Sequence, residues 1–166
     1  MEEMEARRIV DSYADMILRI SLGYVKSLSE AQDVCQTVFL KYLTSGKEFD
    51  SLQDEKAWII RVTINECKNI LKSAFSRKTV GLEEVGEIKD ETATDMGIIE
   101  VVDKLPRNYR LCIYLYYYEG YSQKEIADFL GKSESVIAAY LSRGRKKLKK
   151  MIKEEYKEIC NEWKYD

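Results

Sequence analysis

The stretch that decides the fold is EGYSQKEIADFLGKSESVIAAYLSRGRKKLKK, residues 119–150. Ser122 and Glu125 are spaced as a capping box, in which the serine side chain binds the backbone N–H of the glutamate and the glutamate side chain binds the serine N–H. A helix is therefore expected to begin at Ser122. Gly131 predicts the end of that helix, because glycine adopts the left-handed conformation common at helix C-termini. The apolar face of this helix is formed by Ile126, Ala127 and Leu130.

Ser133 predicts the cap of a second helix just beyond the glycine. Ile137 and Leu141 lie four positions apart on it and can pack against the first helix. The outward face of the second helix is formed by Glu134, Ser135, Ala138, Ser142 and Arg145. Two helices joined by so short a turn indicate a helix-turn-helix, whose second helix enters the major groove of DNA.

The same spacing also suits a helical hairpin inside an ordinary helical core. The basic residues that follow favour DNA binding over this alternative. They form one run without an acidic residue: Arg143, Arg145, Lys146, Lys147, Lys149, Lys150 and Lys153. A solvated helix face normally mixes both signs of charge, whereas a phosphate-binding surface needs clustered cations.

The composition predicts a soluble, all-α protein. The chain has 166 residues, of which 45% are hydrophobic and 34% charged, with one proline and eight glycines. So few helix breakers leave little room for a turn-rich sheet protein. No apolar run approaches the roughly 20 residues of a membrane span, and the start MEEMEARR is too charged for a signal peptide, so we expect a cytoplasmic protein.

The residue types that build metal sites and most active sites are scarce in the chain. There is no histidine, and the four cysteines lie far apart without a CxxC pair: Cys35, Cys67, Cys112 and Cys160. Each cysteine lies in a helical pattern, where a free thiol acts as a small core residue. No phosphate-binding glycine loop or nucleophile elbow is present either, so we expect no metal, no cofactor and no enzyme activity.

Residues 1–75 predict a small domain of three amphipathic helices. The expected bounds are Glu5 to about Lys26, Ser29 to about Thr44 before a break at Ser45-Gly46, and Asp50 or Asp54 to about Phe75. Residues 76–94 carry two glycines and many acidic residues without a sustained period, which indicates a flexible acidic linker. A linker of this length favours two separately folded domains.

The second domain, residues 95–166, is expected to begin with a short helix near 95–104. Leu105-Pro106 marks a boundary, because proline disfavours a helical residue before it and suits a first helical turn. A further helix then runs to Tyr118, with Tyr118 on its apolar face. The tyrosines of this segment are interpreted as core packing, with a stacking platform for bases as the alternative: Tyr114, Tyr116, Tyr117, Tyr118 and Tyr121.

Taken together, the two domains resemble the extracytoplasmic-function group of the sigma-70 family, small bacterial initiation factors that have only regions two and four. SLSEAQDVCQTVFLKYL (27–43) resembles region 2.2, and AWIIRVTINECKNILK (57–72) resembles regions 2.3 and 2.4. LPRNYRLCIYLYYYEGYSQKEIADFLGKSESVIAAYLSRGRKKL (105–148) is similar to regions 4.1 and 4.2. The resemblance covers nearly the whole chain.

The resemblance implies an RNA polymerase sigma factor that directs promoter-specific transcription initiation. Region 2 would bind core RNA polymerase through Asp33, Gln36, Phe39 and Leu40. It would open and bind the minus-ten element through Trp58, Arg61, Asn65, Lys68, Asn69 and Lys72. Region 4 would bind the minus-thirty-five element through Ser133, Glu134, Ser135, Ala138, Ser142, Arg143, Arg145 and Lys146. The implied partners are core RNA polymerase, promoter DNA and, as for many relatives, an anti-sigma factor.

Two positions leave alternatives open, and two others depart from the family pattern. Phe39 suits the internal core as well as a polymerase contact, and Trp58 suits a buried core position as well as a wedge at the duplex fork. The recognition helix departs from the family pattern, because Ala138 and Tyr140 stand where many relatives have lysine and arginine. Fewer long donors there predict more reliance on backbone contacts and DNA shape.

Two other functions fit parts of the pattern. A stand-alone helix-turn-helix regulator would bind a two-fold symmetric duplex without polymerase, with the first domain used for dimerisation or sensing. A pure protein-interaction module would show no dependence on DNA, and its basic helix would be only a solvated surface.

Overall fold

The computed structural model describes residues 3–25, 27–77 and 101–163, and the chain divides into two compact units, Met1–Asp90 and Glu91–Asp166. All regular elements in the described ranges are helical, which confirms the predicted all-α fold. Most of the predicted linker, the first part of the helix expected near 95–104, and the Cys160 side chain lie outside the described residues.

The first unit contains three helices, α1 (Glu3–Leu22), α2 (Leu28–Ser45) and α3 (Leu52–Arg77). Each helix packs against the other two. Aliphatic side chains from all three are fully buried between them, including Ile17, Ile20, Val34, Val38, Ile59, Ile60 and Ile64. The helices form because these residues recur at 3.6-residue spacing, and they bundle because no single helix can bury its own apolar stripe.

Two predicted helix starts in this unit are wrong by a few residues. The cap of α2 is Ser27 rather than Ser29, and its side chain accepts a hydrogen bond from the Glu30 N–H at 3.1 Å. The cap of α3 is Ser51, whose Oγ accepts from the Asp54 N–H at 3.1 Å, so neither Asp50 nor Asp54 opens that helix. In both cases a serine precedes an acidic residue by three positions, the spacing that satisfies a free N–H and places a negative charge at the helix N-terminus.

The predicted end of α2 is confirmed, and that of α1 comes earlier than expected. Gly46 has a φ of 62° at the C-terminus of α2. Helix α1 stops at Leu22 instead of about Lys26, because the Gly23 N–H turns back to the Ile20 carbonyl at 3.0 Å.

A buried carboxylate joins the three helices of the first unit. Glu55, in the first turn of α3, is 4% exposed. Its carboxylate accepts from the Tyr13 hydroxyl of α1 and the Tyr42 hydroxyl of α2, each at 2.7 Å, and from the Arg8 guanidinium at 2.8 Å. Burial alone would raise the pKa of Glu55, but the hydrogen bonds from Arg8, Tyr42 and Tyr13 outweigh it and lower the pKa to about 2.

The second unit is built around the helix-turn-helix. Its described part begins with helical backbone at 101–103, followed by α4 (Arg107–Ile113), α5 (Gln123–Leu130) and α6 (Glu134–Trp163). Helix α6 packs against both α4 and α5. The buried side chains between them include Leu111, Leu115, Ile126, Leu130, Ile137 and Leu141.

The predicted helix boundaries of the helix-turn-helix are confirmed. The Glu125 N–H donates to the Ser122 Oγ at 3.2 Å, and the Ser122 N–H donates to the Glu125 carboxylate at 2.8 Å. Gly131 ends α5 with a φ of 66°, and the Val136 N–H donates to the Ser133 Oγ at 3.3 Å. Pro106 precedes α4 as expected.

The helix predicted to continue to Tyr118 changes form on the way. Tyr114–Tyr118 is a π-helical turn, in which the Glu119 N–H donates to the Tyr114 carbonyl at 3.2 Å. The wider turn rotates the last tyrosines relative to an α-helix. Tyr118, expected on the apolar face, is 57% exposed, whereas Tyr114 is buried.

Gly144 lies at a close approach between α4 and α6. A Cβ atom added there would lie 2.7 Å from the Ile113 Cδ1 and 3.2 Å from the Tyr109 Cβ. Glycine allows α6 to pack this closely on α4, because a side chain at this position would require Ile113 and Tyr109 to shift.

Three of the cysteines behave as core residues. Cys35, Cys67 and Cys112 are buried free thiols, and burial raises the pKa of Cys112 to about 12. Within the described ranges, no group of histidine, cysteine, aspartate or glutamate side chains is arranged to hold a metal ion. None of the described helices combines the length and apolarity needed to cross a membrane.

Candidate nucleic-acid and polymerase interfaces

One side of α3 carries an exposed stripe of amides and cations. Arg61, Asn65, Asn69 and Lys72 are exposed and recur at intervals of four, four and three residues, which places them on one helical face. The opposite face holds the buried Ile60, Ile64 and Cys67. Lys68 belongs to the stripe by position and is half-buried. Five of the six predicted minus-ten residues thus lie together, facing away from the core.

Trp58, the sixth residue, begins the stripe and also belongs to an aromatic cluster. Its ring lies 6.0 Å from that of Tyr42 and 5.7 Å from that of Phe49. The Lys47 Nζ lies 5.8 Å from the Trp58 ring centre. The tryptophan is half-buried, so it packs in this cluster and remains partly exposed.

The predicted polymerase-binding residues lie on the outer face of α2. Asp33 and Gln36 are exposed, Leu40 is 62% exposed, and Phe39 is half-buried at the side of this face. The inner face of α2 holds the buried Ala31, Val34, Val38 and Tyr42. The partial burial of Phe39 is consistent with both of its proposed roles.

Leu43 is a member of the α2 face that the sequence interpretation omitted. It is 41% exposed and lies three residues after Leu40. Leu40 and Leu43 are three residues apart and so form a small exposed apolar patch on this face. The signal was available in the sequence, because Leu40 and Leu43 both fall outside the apolar spacing that includes Val38 and Tyr42.

The outward face of α6 presents the predicted minus-thirty-five residues. Glu134, Ser135, Arg143, Arg145 and Lys146 are exposed, and Ala138 and Ser142 are half-buried. Ser133 lies just before the helix, where its hydroxyl caps α6 and lies 3.1 Å from the Ser135 Oγ. The remaining lysines of the basic run are also exposed: Lys147, Lys149, Lys150 and Lys153.

Tyr140 and Ala138 occupy different sides of α6. Tyr140 is half-buried against α4, with its ring 5.8 Å from that of Tyr109 and its hydroxyl 3.4 Å from the Asn108 amide. Ala138 lies on the outward face, between Ser135 and Ser142. Of the two departures from the family pattern, only Ala138 therefore places a short side chain on the predicted DNA-binding face.

The tyrosines before the helix-turn-helix divide into two groups. Tyr114 donates to the Glu119 carboxylate at 2.7 Å and stacks on Tyr118, with ring centres 5.6 Å apart. Tyr117 is 55% exposed, and its hydroxyl accepts from the Arg145 guanidinium at 3.0 Å. Core packing thus describes Tyr114, while Tyr117 contacts a residue of the predicted DNA-binding surface.

Family models match both units of the chain. The model for sigma-70 region 2 matches residues 9–76, and that for sigma-70 region 4 matches residues 95–148. The α3 stripe and the α2 face lie inside the first match, and the helix-turn-helix lies inside the second.

Curated relatives and solved structures agree with these matches. The chain is 23% identical over 140 residues to the RNA polymerase sigma factor SigV of Bacillus subtilis, covering 82% of this chain and 84% of the relative. It is 22% identical over 164 residues to the ECF RNA polymerase sigma factor SigW of the same organism, covering 88% of each. The sigma factor RpoE of Bartonella quintana, solved with the anti-sigma factor NepR, has a similar fold, with a TM-score of 0.65, 19% identity and coverage of 89% of this chain and 96% of that one.

Proposed function

The chain belongs to the extracytoplasmic-function group of the sigma-70 family, and on this basis we propose how its two units divide the work of a sigma factor. A sigma factor is a transcription initiation factor and not an enzyme. It binds core RNA polymerase and promoter DNA. The proposal assigns region 2 to residues 1–75, the linker to 76–94 and region 4 to 95–166.

The outer face of α2 is assigned to core RNA polymerase. Leu40 and Leu43 offer exposed apolar surface, and Asp33 and Gln36 supply polar anchors beside it. An apolar patch with a polar rim is the usual composition of a protein interface. Phe39, at the edge of the face, would widen the apolar contact.

The α3 stripe is assigned to the opened minus-ten element, and this stripe is the observation that carries the proposal. Single-stranded DNA is held by cations along its backbone, by groups that bond to base edges, and by rings on which bases stack. Arg61, Lys68 and Lys72 supply the cations, and Asn65 and Asn69 the amides. Trp58 supplies an aromatic edge at one end of the stripe.

The outward face of α6 is assigned to the minus-thirty-five duplex. Arg143, Arg145 and Lys146 would contact phosphates, and the shorter Ser135, Ala138 and Ser142 would lie against base edges. Weak contacts suffice at each element, because polymerase holds both units on one promoter and tethering raises their effective concentration.

The proposed location and regulation follow from this role. We place the protein in the cytoplasm, together with polymerase and DNA. An anti-sigma factor, such as the one bound by the Bartonella quintana protein, is a further proposed partner. Such a partner would compete with polymerase for exposed surfaces such as the α2 face.

The experiment reconstitutes the purified chain with core RNA polymerase and measures binding and transcription from a random promoter library. We expect holoenzyme formation and selection of promoters with two separated elements. Leu40→Asp and Leu43→Asp are expected to weaken core binding at least tenfold, because each places a charge in an apolar contact. Leu52→Asp is the matched control, since Leu52 is an exposed leucine on a different helix, at the start of α3.

Two outcomes would contradict the proposal. Failure of the purified chain to bind core RNA polymerase would contradict the assignment of the α2 face. A chain that binds a two-fold symmetric duplex tightly without polymerase would instead be a stand-alone regulator.

A further inference from the structure

Arg145 is held in place by an uncharged partner. Its Nη1 donates to the Tyr117 hydroxyl at 3.0 Å, and both side chains are exposed. No carboxylate in the described part of the chain forms an ion pair with Arg145. A guanidinium bonded to a phenol keeps its full positive charge for a third group, whereas a carboxylate partner would neutralise it.

The two side chains together have hydrogen-bond donors to spare. A guanidinium has five N–H donors, and the bond to Tyr117 uses one of them. The Tyr117 hydroxyl accepts that bond and still has its own proton to donate. An O–H and several N–H groups beside one net positive charge are complementary to the two anionic oxygens of a phosphodiester.

The backbone explains why these two residues meet. Ile113 packs on Gly144 at the close approach of α4 and α6. Tyr117 follows Ile113 by four residues, in the π-helical turn that continues α4, and Arg145 follows Gly144 by one, so both side chains start close to this approach. The π-helical turn brings residues four to five apart onto one side, and the Tyr116 ring, 4.9 Å away and edge-on, supports the Tyr117 ring.

We propose that Tyr117 and Arg145 form one phosphodiester-binding pair at the border of the α6 outward face. In this pair Tyr117 orients the guanidinium and donates its own hydroxyl proton to a backbone phosphate of the minus-thirty-five duplex. The inference rests on the proposed function of α6 and adds to it a residue outside the helix-turn-helix. A phosphate contact carries no base information, so the pair sets affinity and position rather than sequence preference.

The hydroxyl, rather than the ring, carries this role. Bases in a duplex are stacked on one another and offer no free face to an aromatic side chain, unlike bases of a single strand. The hydroxyl is also the atom that contacts Arg145. Removing it while keeping the ring therefore separates the pair from a stacking platform.

The experiment uses holoenzyme made with the full chain and begins by selecting promoter duplexes from a random library with the wild-type protein. Affinity for a selected duplex is then measured across a salt series for Tyr117→Phe, Arg145→Ala and the double variant. Tyr118→Phe is the matched control, because Tyr118 is an equally exposed tyrosine of the same turn that stacks on Tyr114. Thermal unfolding of each variant is recorded alongside.

We expect Tyr117→Phe to weaken duplex binding roughly three- to tenfold without changing thermal stability, and Tyr118→Phe to bind as the wild type. Arg145→Ala should lower the slope of log K against log salt by about 0.9, the value for one lost phosphate contact. In the Arg145→Ala background, Tyr117→Phe should weaken duplex binding by a smaller factor than it does in the wild-type chain, because the two side chains act together.

Two results would overturn the pair. In the first, Tyr117→Phe binds the duplex as tightly as the wild type, even where Tyr117→Leu, which also removes the ring, binds more weakly. In the second, Tyr117→Phe weakens binding by the same factor with and without Arg145. Failure of the wild-type holoenzyme to select any duplex is a different result. It would overturn the proposed function before a variant is compared.

Discussion

The carboxylate of Glu55 lies 2.8 Å from the guanidinium of Arg8, although 47 positions separate the two residues in the chain. Arg8 also binds Glu5, so a single guanidinium joins the start of α1 to the first turn of α3. With Tyr13 and Tyr42 added, every helix of the first unit contributes to the bonding of one buried carboxylate.

Replacing that carboxylate should destabilise the first unit. Glu55→Gln leaves Arg8 without its buried anion and at least one tyrosine hydroxyl poorly paired, at a cost of about 2–4 kcal/mol. The value is below that of a fully buried pair because the Arg8 side chain is 37% exposed. Unfolding by denaturant, followed by Trp58 fluorescence in a Trp163→Phe background, measures it. The exposed Glu48→Gln is the control and should change stability by less than about 0.5 kcal/mol.

The same residue should make the first unit sensitive to acid. The pKa of Glu55 falls from its ordinary 4.5 to about 2 on folding, so the folded state favours the ionised form. The resulting stability, about 3 kcal/mol, is fully present above pH 4.5 and is lost as the pH falls from there towards 2. Denaturant unfolding of the first unit across this range tests it. Equal pH dependence in wild type and Glu55→Gln would show that other groups dominate.

Gly144→Ala should destabilise the second unit even though alanine is the better helix former. The new Cβ would lie 2.7 Å from the Ile113 Cδ1, and such overpacking costs about 1–3 kcal/mol against a propensity gain of about 1 kcal/mol. Hydrogen exchange of α4 and α6 amides measures the loss. Ile113→Val removes the Cδ1 and should restore part of the stability. A more stable Gly144→Ala variant would mean that the Ile113 side chain moves aside at little cost.

The amides of the α3 stripe should act in promoter opening and not in polymerase binding. Loss of an amide that bonds a base edge costs about 1–3 kcal/mol, so Asn65→Ala or Asn69→Ala should reduce open complexes roughly fivefold or more. Core binding should be unchanged, because both residues lie on a different helix from the α2 face. Gln53→Ala is the matched control, an exposed amide of α3 outside the stripe. Loss of core binding in either asparagine variant would reassign the helix.

A lysine introduced on the outward face of α6 should strengthen duplex binding. Ala138→Lys adds a cation beside Ser135 and Ser142, and we expect roughly three- to tenfold tighter binding. The slope of log K against log salt should become steeper by the amount that corresponds to about one phosphate contact. Tyr140→Lys adds the same charge on the side packed against Tyr109, so it should lower stability without raising affinity. Equal gains from the two variants would show that general charge, and not position, controls the affinity.

Features that depend on residues close together in the sequence were the ones that the sequence predicted well. The Ser122–Glu125 capping box and the left-handed Gly131 are set within a few residues, and both were predicted correctly. The starts of α2 and α3 were missed by a few positions, because several serines and acidic residues near each start compete for the same role. Helical spacing was enough to place Asn65 and Asn69 on one face with Arg61 and Lys72.

Contacts between residues distant in the chain were not predictable in this way. The Glu55 carboxylate looks like an ordinary surface charge until Tyr13 and Tyr42 are packed against it. Gly144 looks like a weak point in a helix until α4 lies across it. The π-helical turn has no simple sequence signature, so the exposure of Tyr118 and the contact of Tyr117 with Arg145 were both missed.

The polar stripe and the buried residues of α3 lie on different faces of the helix, and this separation affects how the sequence of such a protein can change during evolution. With roughly 1.5 Å of rise per residue, α3 displays its polar side chains along a straight edge while Ile60, Ile64 and Cys67 hold it from behind. Substitutions along that edge therefore carry little folding cost. If the stripe binds the minus-ten element as proposed, paralogues that arise by gene duplication can acquire new promoter preferences there one residue at a time, without passing through an unstable intermediate.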